Sequence, residues 1–111
     1  MSDVTVEVFF SQTCPHCPAQ KELADQFAEE DHVTVRHTDV AAHQGRAKQH
    51  GVRSVPTTVV SGPEIDEKLG FTGVMSTERL DDAIKVAMGM AKPELLERDS
   101  TFTKIKEKLF G

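Results

Sequence analysis

Hydrophobic and polar positions along this chain follow two different periods. Val4-Thr5-Val6-Glu7-Val8-Phe9-Phe10 is rich in β-branched and aromatic residues with partial alternation, which predicts a strand. The period then lengthens. Leu23, Ala24, Phe27 and Ala28 fall on one side of a helix, and Lys21, Glu22, Asp25, Gln26, Glu29 and Glu30 occupy the rest. Residues 33–38 return to a strand pattern. Its connection to the first strand runs through a helix, so the two are expected to lie parallel with a right-handed crossover. Ala41 to His50 predicts a short, weaker helix stopped by Gly51. Thr57-Thr58-Val59-Val60 is a third strand, Ser61-Gly62-Pro63 turns the chain, and residues 67–72 return as a fourth, antiparallel strand. Ser76 is placed to cap the clearest helix. Leu80, Ala83, Ile84, Ala87, Met88 and Ala91 follow at i, i+3, i+4 spacing, up to Lys92-Pro93. The order β-α-β-α-β-β-α predicts an α/β fold, with a four-stranded mixed sheet flanked by helices.

The remaining residues, 92–111, read as an extension of a domain formed by residues 1–91. Pro93 to Arg98 suggests one or two helical turns. Phe102, Ile105, Leu109 and Phe110 then share one face of a Lys-rich helix, with Ser100 or Thr101 as its cap. That apolar face is expected to pack on the same domain or on a partner.

Length and charge narrow the classes. At 111 residues the chain is one domain, able to build a core without disulfide staples. A net charge of −5 argues against a nucleic-acid binder or an anionic-membrane binder, which would want a basic face. Met1-Ser2-Asp3 lacks a basic leader, and no apolar stretch is long enough to span a membrane, so a cytoplasmic location is expected. Trp and Tyr are absent, so the core must rest on aliphatic residues and six Phe. Met75, Met88 and Met90 read as core filling rather than ligands.

The two cysteines supply the chemistry. Cys14-Pro15-His16-Cys17 lies directly after the first strand and directly before the first helix. Two thiols three positions apart at such a junction read as a redox pair. A sulfur at the first turn of a helix faces unpaired N–H groups and the positive end of the macrodipole, and both favour the thiolate. Pro15 suits the first helical position, and Pro18 denies the Cys14 carbonyl its helical donor. Cys14 is expected to be partly exposed and to act as nucleophile, with Cys17 more buried and resolving. An imidazolium at His16 would stabilise the Cys14 thiolate and make the disulfide more oxidising. The plain alternative is a structural disulfide. So small a loop restricts the unfolded chain little, which leaves it a weak staple. A metal reading also exists. Cys14, His16 and Cys17 are three adjacent ligands in one tight loop, which do not readily close a tetrahedral site, so a zinc or iron–sulfur carrier would need a second copy of the chain. No bound metal or cofactor is expected beyond the Cys14–Cys17 disulfide itself.

Three anchors together resemble the thioredoxin fold, in particular the small thioredoxin or glutaredoxin-like proteins of archaea. They are Cys14-Pro15-His16-Cys17, Gly51-Val52-Arg53-Ser54-Val55-Pro56-Thr57 and Gly70-Phe71-Thr72-Gly73, within residues 3 to 91. The resemblance implies a cis Pro56 against the cysteines and a free backbone N–H on Val55 for an extended substrate, with Gly73 and Val74 as the far wall of that groove. It implies a thiol–disulfide oxidoreductase that reduces protein disulfides and is recharged by a thioredoxin-reductase-like donor. The chain also departs from the pattern. Thr13 stands where thioredoxins usually have Trp, and Val8 where they carry a buried acid; Glu7 beside it points to the opposite face. His16 and the Gly70-x-x-Gly73 spacing differ from glutaredoxins, so the resemblance does not extend to glutathione recognition. The Cys-Pro-His-Cys loop is similar to that of disulfide oxidases of the DsbA type, which keeps an oxidase or isomerase as an alternative.

Overall fold

In the computed structural model, residues 4–30, 32–65, 67–96 and 102–105 are described. Strand β1 (Val4–Phe10) leads through helix α1 (Cys17–Asp25) and a 3-10 turn (Gln26–Glu29) into strand β2 (Val33–Asp39). Helix α2 (Gln44–Gln49) precedes strands β3 (Thr57–Ser61) and β4 (Lys68–Thr72). Helix α3 (Thr77–Ala87), a 3-10 turn (Pro93–Leu95) and strand β5 (Phe102–Ile105) complete the order. The sheet runs β2-β1-β3-β4-β5, with β1 parallel to β2 and the other pairs antiparallel. The four expected strands are therefore present with the expected directions.

Period-two alternation in β1 separates two cores. Val4, Val6 and Val8 face one side, where they meet Ala24 and Phe27 from the α1 region and Leu80, Ala83, Ile84 and Ala87 of α3. Phe9 faces the other side with Ala47 of α2 and Val59. Helices α1 and α3 thus cover one face of the sheet and α2 the other. Ala28 is exposed, contrary to the helical pattern, because the chain tightens into the 3-10 turn at Gln26 and its side chains rotate off the stripe.

Helix ends follow local chemistry. The Ser76 hydroxyl accepts the Arg79 N–H at 3.1 Å, the expected cap of α3. The helix stops at Ala87, earlier than the Lys92-Pro93 signal, because Gly89 turns with φ +79°. Met75 is buried and Met88 packs on the first core, whereas Met90 is 67% exposed. Gly62 in the β3–β4 turn approaches this helix end closely. A Cβ there would lie 2.5 Å from the Ala87 carbonyl oxygen.

The C-terminal extension differs from its expected form. Phe102–Ile105 is a fifth strand, not a helix, paired antiparallel with β4. The spacing explains the misreading. Positions i and i+3 share a face in a helix but point to opposite faces in a strand. Phe102 packs on the first core, with its ring 5.3 Å from that of Phe71, and Ile105 packs on the second. The edge of β4 offers a row of backbone N–H and C=O groups with which an added strand can pair. Leu96, just past the 3-10 turn, is fully buried in the first core. Leu109 and Phe110 lie outside the described residues.

Beneath α2 the sheet buries a carboxylate. Glu7 is 3% exposed and faces α2, as alternation predicts. Arg46 grips it with two bonds, Nε to Oε2 at 2.6 Å and a guanidinium NH2 to Oε1 at 2.7 Å. The Thr38 hydroxyl donates a third at 2.6 Å. Burial pushes the Glu7 carboxyl up, but the Arg46 and Thr38 hydrogen bonds and the Arg46 charge outweigh it, so it ionises below its ordinary value. His50, at the end of α2, is also buried. Lys68 Nζ lies 3.0 Å from its Nε2 and can only donate, so the ring proton sits on Nδ1 and is given to the Arg46 carbonyl at 2.8 Å.

Two stability predictions follow from these contacts. Arg46→Met strands a buried carboxylate and should destabilise by about 2–4 kcal/mol in urea titrations at pH 7, since one edge of the guanidinium reaches solvent. A lowered folded pKa stabilises above the ordinary value of 4.5 and loses that stabilisation as pH falls through the folded value. The stability gap between wild type and Glu7→Gln should therefore narrow progressively as pH is lowered below the ordinary value of 4.5. Separately, Gly62→Ala should lower the melting temperature through backbone overlap with α3, at about 1–3 kcal/mol.

Candidate functional site

Three segments converge at one end of the sheet. The cysteine loop leaves the C-terminal end of β1. Thr57, the first residue of β3, pairs with Phe9 there, and Thr72, the last of β4, pairs with Thr57. The residues flanking those ends are Val55-Pro56 and Gly73-Val74. The topology thus brings the cysteine loop, Val55-Pro56 and Gly73-Val74 to the same end of the sheet.

Cys14 and Cys17 are disulfide-bonded with their Cα atoms 5.5 Å apart. Cys14 is half-buried, whereas Cys17 is 1% exposed. Pro15 and His16 between them are exposed. Helix α1 begins at Cys17 with His16 as its N-cap residue, two positions later than the Pro15 signal implies. Pro18 is therefore the proline of the first turn, where a missing N–H costs no helical bond, and the Cys14 carbonyl stands outside the ladder altogether. The His16 side chain makes no capping hydrogen bond, and the first turn holds no acidic residue. The helix N-terminus is thus left without a local carboxylate to offset its positive end.

The loop is held from two sides. The Cys14 N–H donates to the Ser11 carbonyl at 3.3 Å. Gln12 Nε2 donates to Asp39 Oδ2 at 3.0 Å, and Asp39 Oδ1 accepts the Ala41 N–H at 2.9 Å. The Gln12 bond and then the Ala41 bond hold the Asp39 carboxyl below its ordinary range. These contacts tie the loop to the end of β2.

The Val55-Pro56 and Gly73-Val74 segments are fixed by local hydrogen bonds. The Val55–Pro56 peptide bond is cis. Thr57 Oγ1 donates to the Ser54 carbonyl at 2.7 Å, and the Gly73 N–H donates to the Pro56 carbonyl at 2.8 Å. Gly73 has φ +91° with open space where a Cβ would stand, so its conformation and not crowding requires glycine. Val74 beside it is 55% exposed, an apolar side chain offered to solvent.

Gln20 is the site residue that the sequence reading did not single out. It is fully buried one turn beyond Cys17, donating from Nε2 to Thr58 Oγ1 at 2.8 Å and accepting the Met75 N–H on Oε1 at 2.9 Å. Its signal is positional. It lies three after Cys17 and four before Ala24, so a polar residue interrupts the buried stripe of α1. Val8, at the position of the usual family acid, lies in the first core and pairs across the sheet with Thr58. Glu7 is committed to Arg46 on the other face. Among the described residues, no group of three or more His, Cys, Asp or Glu side chains is gathered to hold a metal ion.

Comparison with known proteins agrees with this geometry. The family model described as a thioredoxin domain matches residues 4–85. The thioredoxin of Methanocaldococcus jannaschii is 38% identical over 87 residues, covering 77% of this chain and 96% of the relative. A probable thioredoxin of Methanothermobacter thermautotrophicus is 33% identical with the same coverage of both. Among solved structures, a mutant thioredoxin from Halobacterium salinarum superposes with a TM-score of 0.65 at 27% identity, covering 77% of this chain and 74% of that one. Chloroplastic thioredoxin z shares the fold with a TM-score of 0.69 at 18% identity, over 78% of this chain and 80% of that one. The family match ends within α3, so β5 lies outside it.

The unequal burial of the sulfurs has a direct chemical readout. In the reduced protein, limiting iodoacetamide should label Cys14 at least about tenfold faster than Cys17, because alkylation needs an accessible thiolate. Peptide mapping by mass spectrometry checks the ratio, and equal labelling would contradict the assigned roles.

Proposed function

The chain belongs to the thioredoxin family of thiol–disulfide oxidoreductases, and from that premise we propose that it reduces protein disulfides through Cys14 and Cys17. The observation that carries this reading is the half-buried Cys14 bonded to a buried Cys17, where the Val55-Pro56 and Gly73-Val74 segments meet. In the reduced protein the Cys14 thiolate attacks one sulfur of a substrate disulfide. A Cys14–substrate bond forms, the substrate S–S bond breaks, and the departing sulfur leaves as a thiolate that takes up a proton. The Cys17 thiolate then attacks Cys14 Sγ. The intramolecular disulfide forms and the second substrate sulfur departs. Two electrons and two protons have moved from the Cys14/Cys17 dithiol to the substrate. A thioredoxin-reductase-like donor returns them, and no bound cofactor is required. Such cycling suits a reducing compartment such as the cytoplasm.

The groove supports the substrate class. Val55 offers backbone and Val74 an apolar side chain, and this combination reads extended chain more than sequence. Pro15 rigidifies the loop between the sulfurs. His16 is exposed and makes no capping bond, and an imidazolium there would stabilise the Cys14 thiolate. A stabilised thiolate favours the dithiol and raises the reduction potential, which is the specific feature in favour of a second reading as a disulfide oxidase or isomerase.

Thiol trapping across redox buffers separates the two readings. A potential near about −270 mV supports the reductant, and one near about −120 mV supports the oxidase. His16→Ser should make the potential more negative, because it removes the imidazole whose cationic form would stabilise the thiolate. Cys14→Ser should abolish turnover with insulin, while Cys17→Ser should accumulate the mixed disulfide on non-reducing gels. Insulin reduction that survives in Cys14→Ser would overturn the mechanism.

A further inference from the structure

Gln20 joins all three segments of the site through one side chain. It sits on α1 behind the cysteines. Its amide nitrogen reaches Thr58, two residues past Pro56, and its amide oxygen reaches the backbone of Met75, immediately after Val74. The other end of the same loop is fixed by the Gly73 N–H on the Pro56 carbonyl. Val74 is therefore carried between two anchored neighbours, with its side chain outward.

We propose that Gln20 is a positioning residue for protein substrates, holding the Gly73–Val74 wall at a fixed distance from the dithiol. This rests on the reading of the site as a protein-disulfide reductant. The physical argument is directional. A buried amide must keep its partners, so the arrangement in which Thr58 and Met75 are both bonded dominates. An aliphatic side chain at position 20 would fill the same volume, but apolar contacts are non-directional and would leave the loop free to shift. A wall that moves degrades recognition of an extended polypeptide. A small disulfide reaches the Cys14 sulfur without spanning the groove.

The test compares reduction of insulin with reduction of hydroxyethyl disulfide by the full chain. Gln20→Met keeps the bulk and removes both hydrogen bonds. It should raise KM for insulin about fivefold or more relative to KM for the small disulfide, a factor matching one buried hydrogen bond. Any change in thiol reactivity acts on both substrates and divides out, so a merely structural role leaves the ratio unmoved. Gln20→Glu keeps an acceptor for the Met75 N–H, and the Thr58 hydroxyl can turn to donate to the carboxylate. It should retain the wild-type ratio. If Gln20→Met does not fold, Thr58→Val removes the bond to Gln20 Nε2 with little change of volume and should raise the ratio in its place, an unchanged ratio overturning the proposal in the same way. An unchanged ratio in Gln20→Met, or a raised ratio in Gln20→Glu, overturns the proposal. Wild-type protein that reduces neither disulfide overturns the functional reading instead.

Discussion

Strand β1 is hydrogen-bonded along both edges, parallel to β2 over all seven residues and antiparallel to β3. A central strand has no solvent face, so each of its side chains must be accommodated in one of two cores. Val4, Val6 and Val8 meet α1 and α3. Glu7 and Phe9 meet α2. Its C-terminal end is also where the chain turns into the cysteine loop. The position of the dithiol, the floor beneath it and the helix behind the sheet are therefore linked through one seven-residue segment. Changing its register by one residue would place a carboxylate under α1 and valines against Arg46.

Glu7 is the expensive member of that strand. An isolated buried carboxylate would neutralise itself by taking a proton. Here a bidentate guanidinium and a hydroxyl supply three donors, which hold its carboxyl below the ordinary value against the effect of burial. The pair also orients α2. Arg46 gives its side chain to Glu7 and its carbonyl to His50, whose other nitrogen is held by Lys68 at the start of β4. A short helix of six residues has little stability of its own. Its packing beside Phe9 and Val59 is thus defined by polar contacts at defined angles, in addition to the apolar contact of Ala47.

Much of this was legible along the chain because the signals were local. Alternation marked β1, a serine marked the start of α3, and the Cys-x-x-Cys spacing marked the site. The cis bond at Val55–Pro56 was reached through family resemblance. What escaped depended on distant partners. Phe102 and Ile105 read equally as one helical face or as two faces of a strand, and only the open edge of β4 decides between them. His50 reads as a polar helix end until Lys68 and Phe9 surround it. Gln20 reads as one more polar residue of an amphipathic helix, because its partners are 38 and 55 positions away. No periodicity rule links positions so far apart.

The floor of the site bears on its chemistry. Val8 stands where the family usually has a buried acid, and the polar groups beside it are the neutral Thr58 and Gln20. A buried carboxylate near the buried thiol would oppose formation of thiolate there by like charge while offering a base. This site forgoes both effects. Its one deeply buried carboxylate, among the described residues, is held on the far face by Arg46. In the proposed mechanism, thiolate formation rests on groups on the solvent side, the helix N-terminus and an imidazolium at His16. A neutral amide still ties the helix to the groove and adds no buried charge to desolvate. Structural rigidity and sulfur electrostatics, which a single buried acid would couple, are in this protein assigned to different residues.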